Sequence, residues 1–194
     1  MTSRVLLVSP ATSASSRQAR FDDGGSIDDI GAARARAAAG SLPVAVRVLT
    51  SPVARCRETA AALGLDGVPA PRLAGLDMGR WRGRTLDEVG AAEPEAVGRW
   101  LTDPGCAPHG GESVRDLCKR VARWLADAQA VAGRTLAVVE PEVVRAATVK
   151  ALDLPVAAFW RLDVPPLTVT ELSGRSGRWN LRLGRPPAAP DADY

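Results

Sequence analysis

Histidine is almost absent from this chain, and cysteine and aromatic residues are scarce. The 194 residues include 1 histidine, 3 cysteines and 4% aromatic residues. The cysteines, Cys56, Cys106 and Cys118, are odd in number and have no paired spacing. This pattern argues against both a disulfide framework and a structural zinc site. We therefore expect no metal and no cofactor.

Long apolar runs are also missing. No stretch approaches the roughly 20 apolar residues that a membrane-spanning helix needs. The N-terminus lacks the basic segment, long apolar segment and small-residue cleavage site of a secretory signal. The sequence therefore predicts a cytoplasmic protein without a membrane partner.

Neither sign of charge dominates. The chain has 25 Lys and Arg against 22 Asp and Glu, and its arginines are scattered rather than gathered into a stripe. A nucleic-acid partner is therefore not expected.

The length of the chain suffices for one sizeable hydrophobic core. We expect a single domain over residues 1–184 and a flexible tail over 185–194, where the sequence reads RPPAAPDADY.

Two apolar, β-branched runs end abruptly at a proline. RVLLVSP stops at Pro10 and LAVVEP stops at Pro141, as buried parallel strands often do where they enter an active-site loop. Strand and helix patterns alternate along the rest of the chain. The sequence predicts a further strand at 45–49, helices at 28–39, 52–64, 85–101, 112–132 and 142–152, and two C-terminal strands.

This alternation predicts a doubly wound α/β fold. Such sheets bind ligands beyond the carboxyl ends of their strands. The 52–64 helix is expected to have Ser51 as its N-cap and Pro52 in its first turn. We therefore expect the loops after the two proline-terminated strands to meet the start of this helix and to form one crevice with it.

Five motifs give the chain a family resemblance. They are TSPVARCRETA (50–60), LAGLDMGRWRGRT (73–85), HGGESVRDLCKRV (109–121), LAVVEPEVVRA (136–146) and FWRLDVPPLTVTEL (159–172). In this order and spacing, they make the chain resemble the histidine phosphatase superfamily, the phosphoglycerate mutase-like proteins, over about residues 4–184. The resemblance implies a three-layer α/β/α sandwich with a mostly parallel central sheet.

The same resemblance implies that the family's reaction has been lost. The family's first strand ends in Arg-His-Gly with a nucleophilic histidine, and Ser9-Pro10-Ala11 stands there in this chain. The second family histidine falls on Pro141 or Glu142, and the proton donor falls on Gly75. Proline and glycine side chains supply neither a nucleophile nor a proton. Of the catalytic set, only the phosphate-binding Arg55 remains, so the chain is expected to be a degenerate member.

Other polar residues are candidates for the crevice. Arg55 is expected to bind a ligand opposite Glu140 and Glu142, which are candidate acid/base residues. Capping of the following helix explains the glutamates equally well, and a pairing of Glu142 with Arg145 across one helical turn is a further alternative. Further candidate ligand contacts are Ser9, Thr12, Ser13, Arg20 and His109. The alternatives are turn formation for the three hydroxyl residues, a solvated loop charge for Arg20, and an ordinary loop histidine for His109.

Two functions follow from these residues. The first is a pseudophosphatase whose pocket around Arg55 binds a small molecule or a protein partner. The second is a repurposed enzyme in which Arg55 anchors the substrate and Glu140 or Glu142 moves a proton, as in an isomerisation, dehydration or cyclisation. The helices around Trp100 and Trp124 offer surfaces for a possible homodimer.

Overall fold

The computed structural model describes residues 2–183, in which six strands form one mixed sheet. The strands are β1 (Ser3–Val8), β2 (Arg47–Thr50), β3 (Val68–Pro69), β4 (Gly133–Val138), β5 (Val169–Arg175) and β6 (Arg178–Arg182). Their order across the sheet is β3-β2-β4-β1-β5-β6. The first four strands in this order pair in parallel, and β5 and β6 are antiparallel additions. The expected tail at 185–194 lies outside the described residues.

Helices cover both faces of this sheet. They are α1 (Ala14–Arg17), α2 (Asp29–Ala37), α3 (Ala54–Ala62), α4 (Leu86–Ala92), α5 (Pro94–Thr102), α6 (Val114–Gln129) and α7 (Pro141–Ala151). Short 3₁₀ turns occur at Pro71–Leu73, Gly79–Trp81 and Val156–Arg161. The expected α/β fold, with helices flanking a central sheet, is confirmed.

The alternation of side chains along β1 divides the core in two. Val5 and Leu7 belong to the larger core, which includes the apolar faces of α6 and α7. Leu6 and Val8 belong to the smaller core, which includes residues of α2 and α3. Successive side chains of a strand point to opposite faces of the sheet. Since the side chains of β1 are buried on both faces, the sheet is the middle layer between two layers of helices.

Two helix boundaries differ from the sequence prediction. The single helix expected at 85–101 is broken into α4 and α5, because Pro94 cannot continue a helix and instead begins the second one. The helix expected from residue 52 begins at Ala54, and its N-cap is Val53. Ser51 does not cap it: the Ser51 N–H donates to the Val138 carbonyl at 2.8 Å and continues the strand pairing, and the Ser51 hydroxyl has no hydrogen-bond partner within the described residues.

The tryptophans that were expected to support a dimer lie inside the molecule. Trp100 and Trp124 are each 5% exposed and pack in the larger core. They therefore offer no surface to a second copy, and the homodimer stays a prediction without an interface. None of the helices within residues 2–183 has the length and apolar character needed to cross a bilayer.

Candidate functional site

A cavity of about 330 Å³ lies at the carboxyl edge of the parallel strands. Residues 20–22 and 74–78 form part of its wall. Arg55, which comes after β2, and Glu140, which comes after β4, line the cavity as well. Its volume is in the range of small-molecule sites. A cavity is therefore present beside Arg55 at the predicted edge of the sheet, and it is lined by residues that follow β4 but by none of residues 9–13, which follow β1.

Arg55 and Glu140 form a buried ion pair across this cavity wall. The Arg55 Nε donates to Glu140 Oε1 at 2.8 Å, and Arg55 Nη2 donates to Glu140 Oε2. The two side chains are 11% and 2% exposed. Such a two-pronged contact uses the same planar fork with which arginine binds phosphate. A carboxylate of the chain itself thus occupies that edge of the guanidinium.

The surroundings of Arg55 and its neighbour Cys56 fix the protonation states of these two side chains. Burial alone would lower the pKa of Arg55, but the hydrogen bond and charge of Glu140 raise it above the usual value. The Cys56 Sγ lies 3.1 Å from Glu140 Oε1. Burial, followed by the charge of Glu140, raises the pKa of the Cys56 thiol well above its usual value. Cys56 is therefore a protonated donor to Glu140 rather than a nucleophile.

Gly75 makes room for Glu140. A Cβ built on Gly75 would lie 3.0 Å from Glu140 Cγ and 3.4 Å from Glu140 Cβ. The position that corresponds to the family's proton donor thus packs directly against the glutamate that holds Arg55. A side chain at position 75 and the present placement of Glu140 exclude each other unless one of them shifts.

Glu142 is one of two carboxyl groups at the cavity, with Asp77, that have no ion-pair partner within residues 2–183. It lies in the first turn of α7, which favours negative charge, and no cation within residues 2–183 is at ion-pair distance. The expected pairing with Arg145 does not form, because Arg145 Nε donates to the Leu162 carbonyl at 2.7 Å. Burial and the charge of Glu140 raise the pKa of Glu142. This raised pKa makes Glu142 a candidate proton carrier.

The other arginines at the cavity are engaged as well. Arg20 donates to the Gly83 carbonyl and to Gln18 Oε1. Arg82 lies 3.8 Å from Asp22. With Asp77, the cavity wall carries three arginines and four carboxyl groups. This balance does not favour a phosphate dianion.

Three of the predicted ligand-binding hydroxyls do not line the cavity. Ser9 accepts a hydrogen bond from the Thr168 N–H at 3.0 Å and lies against the Pro165 carbonyl. Thr12 donates to Asp28 at 3.1 Å, and Ser13 caps α1. The structure therefore gives these side chains roles in joining strands and loops, in place of the ligand contacts expected for them.

His109, the only histidine, also lies outside the cavity wall. It is 1% exposed, and its ring centroid is 5.1 Å from that of Trp81. Its Nδ1 accepts from the Gly111 N–H at 3.0 Å, so the proton of the neutral ring is on Nε2. Burial lowers the pKa of His109, although Asp77 acts in the opposite direction. This arrangement fits the alternative of a hydrogen-bonded loop histidine.

Sequence reasoning missed the aromatic wall of the cavity. Trp100, Trp160 and Phe21 all line it. The indole N–H groups of Trp100 and Trp160 are buried and have no acceptor within residues 2–183. Trp160 belongs to the FWRLD motif, but the motif alone does not show that a 3₁₀ turn brings it to within 4.4 Å of the Trp100 ring. No group of three metal-ligating side chains occurs in the same described part of the chain.

Comparison with known proteins places this geometry in a family. The family model described as histidine phosphatase superfamily (branch 1) matches residues 13–185. The chain is 36% identical over 129 residues to the bifunctional protein Rv2228c of Mycobacterium tuberculosis, covering 62% of this chain and 35% of that protein. It is 39% identical over 100 residues to the glucosyl-3-phosphoglycerate phosphatase of Mycolicibacterium vanbaalenii, covering 48% of this chain and 44% of that protein. The chain thus spans less than half the length of these curated relatives.

Solved structures share the whole fold. The mycobacterial glucosyl-3-phosphoglycerate phosphatase Rv2419c, in complex with VO3, superposes with a TM-score of 0.82 at 27% sequence identity. The alignment covers 93% of this chain and 98% of that one. An Escherichia coli structure described as a putative α-ribazole-5'-P phosphatase gives a TM-score of 0.81 at 19% identity, which shows the fold alone.

Proposed function

We propose, on the premise that this chain belongs to the histidine phosphatase superfamily, that it is a pseudophosphatase whose cavity binds a small molecule without phosphoryl transfer. The observation that carries this proposal is the buried two-pronged pair of Arg55 and Glu140. To bind at this edge of the arginine, a phosphate must displace an internal carboxylate that is already fully desolvated.

The strand-end residues support the same conclusion. Pro10 stands where the resemblance places the family's first histidine, and Pro141 or Glu142 stands where it places the second, so neither position carries an imidazole nucleophile. Gly75 stands at the proton-donor position. Catalytic residues that act as a unit fail together, with a loss of about a millionfold in rate in a serine protease, so we expect no phosphohistidine turnover.

His109 is a poor replacement for the missing histidines. It is the only imidazole in the chain, it is buried beneath Trp81, and its Nδ1 already accepts a hydrogen bond from Gly111. An attacking nitrogen needs an accessible lone pair within about 3.5 Å of phosphorus. The named phosphatase activity of the mycobacterial relatives therefore does not carry over to this chain in our proposal.

Hydrolysis of an aryl phosphate such as p-nitrophenyl phosphate tests this proposal. We expect the purified wild-type chain and the His109→Ala variant to release p-nitrophenol at the same background rate. The matched reference is a relative named as a phosphatase, assayed at the same concentration. Turnover by the wild-type chain that is well above background would overturn the proposal, and its loss in His109→Ala would identify the nucleophile.

Binding of inorganic phosphate tests the role of Glu140 directly. Glu140→Gln leaves a neutral partner on Arg55, so we expect phosphate to bind roughly tenfold more tightly than to wild type, as for one gained charge-assisted hydrogen bond. Glu95→Gln is the control, because Glu95 also lies at the start of a helix but is exposed and outside the cavity. Equal phosphate affinity in wild type and Glu140→Gln would contradict the masking of Arg55.

The raised pKa of Glu142 favours a second candidate function. A desolvated carboxyl beside Glu140 holds its proton to higher pH than an ordinary glutamate and can act as a general acid. In a repurposed enzyme Glu142 moves a proton in an isomerisation, dehydration or cyclisation, while Glu140 keeps Arg55 in place. Conversion of a candidate substrate that is abolished by Glu142→Gln and retained in Glu95→Gln would favour this function over simple binding.

A further inference from the structure

The sheet has one face that is left open over β5 and β6. Leu172 of β5 and Trp179 of β6 are buried in the larger core with α6 and α7. Successive side chains of a strand point to opposite faces, so the exposed Arg178, Asn180 and Arg182 lie on the other face. That face is covered by α2 and α3 where β1 and β4 enter the smaller core. Over β5 and β6 it is accessible to a partner.

Arginines collect on this open face. Side-chain alternation along each strand places there Arg4 of β1, Arg134 of β4, Arg175 of β5, and Arg178 and Arg182 of β6. Within the described residues, these four strands contribute a single carboxylate to set against them, Glu171. The sequence shows no basic stripe, because the arginines come from separate strands and meet only in the folded sheet.

The charge of these arginines is poorly compensated. Arg182 Nη1 lies 3.5 Å from Glu171 Oε2, and Arg134 Nη1 donates to the Val44 carbonyl at 2.6 Å. No ion-pair partner within residues 2–183 is present for Arg4, Arg175 and Arg178. Arg175 and Arg178 also stand directly opposite each other in the β5–β6 pairing, where like charges repel. A bound anionic group would relieve this repulsion.

A groove of about 740 Å³ on this face places arginines beside an apolar strip. Arg4, Arg134 and Arg182 line it. The apolar part of the lining includes Leu6, Leu42, Leu167 and Val169. None of these residues lines the cavity beside Arg55, so the groove is a separate surface. A matching occupant therefore combines negative charge with an apolar side chain.

We propose that this groove is a docking surface for an acidic segment of a partner protein, with carboxylates on both sides of an apolar side chain. In the sheet register Leu6 faces Glu171 and Glu171 faces Arg182, so Arg182 lies about 10 Å from Leu6 across two strand spacings. Arg4 lies before Leu6 on the same face of β1, about 7 Å along the strand. An extended chain advances about 3.3 Å per residue, so carboxylates about three or four residues apart reach both arginines.

Nucleic acids and membranes match this face less well than a protein segment does. Among the described residues, the four strands turn no aromatic ring to this side, so unpaired bases would find no stacking platform. A flat anionic membrane would contact the rim of the groove and leave its apolar strip unfilled. The strip between the arginines therefore favours a side chain of a protein.

Capped peptides of about eight residues, long enough to cross the groove at about 3.3 Å per residue, provide the test. The acidic peptide has glutamates on both sides of a leucine pair, a second peptide has glutamine in place of every glutamate, and a third has serine in place of the leucines. By isothermal titration calorimetry we expect the acidic peptide to bind at least about tenfold more tightly than the glutamine peptide, because its hydrogen bonds to arginine are charge-assisted. The serine peptide should also bind more weakly than the acidic peptide. Salt raised from about 0.05 M to about 0.5 M should reduce the preference for glutamate.

Variants of the chain locate the binding surface. Arg4→Ser and Arg182→Ser should each weaken binding of the acidic peptide by about tenfold. Arg99→Ser is the control, because Arg99 is an exposed arginine of α5 outside the groove, and it should bind as wild type does. Glu171→Gln should tighten binding, because it removes the carboxylate that competes for Arg182. Circular dichroism and the unfolding midpoint establish that each variant is folded.

The inference is overturned by no binding of the acidic peptide, by equal affinity for the acidic and glutamine peptides, or by equal affinity of Arg4→Ser, Arg182→Ser and Arg99→Ser. Tighter binding of a single-stranded oligothymidylate of the same charge, or of phosphatidylglycerol vesicles, would also overturn it and would assign the face to nucleic acid or to membranes. The groove and the cavity beside Arg55 share no lining residue, so each of these results leaves the pseudophosphatase proposal as it stands.

Discussion

At the scale of single residues, the pair of Arg55 and Glu140 should behave as a coupled unit. Removal of one partner leaves an uncompensated charge in a buried place, which costs about 3–5 kcal/mol. We therefore expect Glu140→Ala and Arg55→Ala each to lower the free energy of unfolding by about that amount. The double variant should lose much less than the sum of the two, as measured by urea denaturation in a double-mutant cycle.

An exposed pair supplies the control for this cycle. Arg72 and Asp127 are in ion-pair contact at 2.5 Å, but their side chains are 50% and 65% exposed. Exposed pairs contribute about 1 kcal/mol or less, so the cycle at Arg72 and Asp127 should show little coupling. Additive losses at Arg55 and Glu140 would mean that the two residues are not a pair in solution.

Gly75 offers a second test of the same arrangement. In Gly75→Ala the new Cβ would lie 3.0 Å from Glu140 Cγ, so Glu140 or the backbone at residue 75 must shift by a few tenths of an ångström. We expect a loss of about 1–3 kcal/mol in the free energy of unfolding, as for other overpacked sites. The loss should largely vanish in a Glu140→Ala background, because that variant has no Cγ.

Gly98 is the matched control for Gly75. A Cβ on Gly98 in α5 would have no neighbour within 4 Å. Gly98→Ala should therefore stabilise the chain by about 0.5–1 kcal/mol, the usual gain from replacing glycine inside a helix. If Gly75→Ala were as harmless as Gly98→Ala, Glu140 would not be confined by its contact with residue 75.

The sequence located Glu140 and Glu142 at the cavity because both follow the apolar run of β4, and it located Arg55 through the family resemblance. Residues directly after parallel strands meet at one edge of the sheet, whatever their chemistry. It could not show that Arg55 is bound to Glu140, since a side-chain pair depends on exact rotamers. Nor could it place Ser9, whose hydroxyl is held by Thr168 through the antiparallel pairing of β1 with β5.

At the scale of elements, α6 should depend on its N-cap. Ser113 Oγ accepts from the Asp116 N–H at 3.1 Å and so satisfies a donor that the first turn leaves without a partner. Ser113→Ala should lower the free energy of unfolding by about 1 kcal/mol in urea denaturation. Ser41→Ala is the control, because Ser41 is exposed and caps no helix N-terminus; it should stay within about 0.5 kcal/mol of wild type.

Elements with strong patterns were predicted, and short or interrupted ones were not. β1, β4 and α7 follow continuous apolar or helical patterns, and the structure has all three close to the predicted bounds. β3 has only two residues, Val68–Pro69, both exposed, and no local pattern marks so short an edge strand. The sequence pattern does not indicate the boundary between α4 and α5, because the helical spacing of apolar residues continues across Pro94.

At the scale of the whole molecule, stability should depend on pH in two opposite ways. Hydrogen bonds from Ser15 and from the Gly31 backbone lower the pKa values of Asp23 and Asp28. Groups with lowered pKa values stabilise the fold above their unfolded pKa, and that contribution is lost as pH falls through the folded pKa. Acid should therefore destabilise the chain through these aspartates.

Glu142 should act in the other direction. Burial and Glu140 raise its pKa in the folded state, so between the unfolded and the folded pKa the folded chain binds more protons than the unfolded chain. Its contribution is complete below the usual pKa of a glutamate and is lost as pH rises through the raised value, by about 1.4 kcal/mol for each unit of separation. Urea denaturation across this pH range should therefore show Glu142→Gln gaining on wild type as pH rises, while Glu95→Gln follows wild type throughout. A constant difference between Glu142→Gln and wild type at every pH would mean that burial does not raise the pKa of Glu142, and the cavity would then lack the desolvated carboxyl on which proton transfer depends.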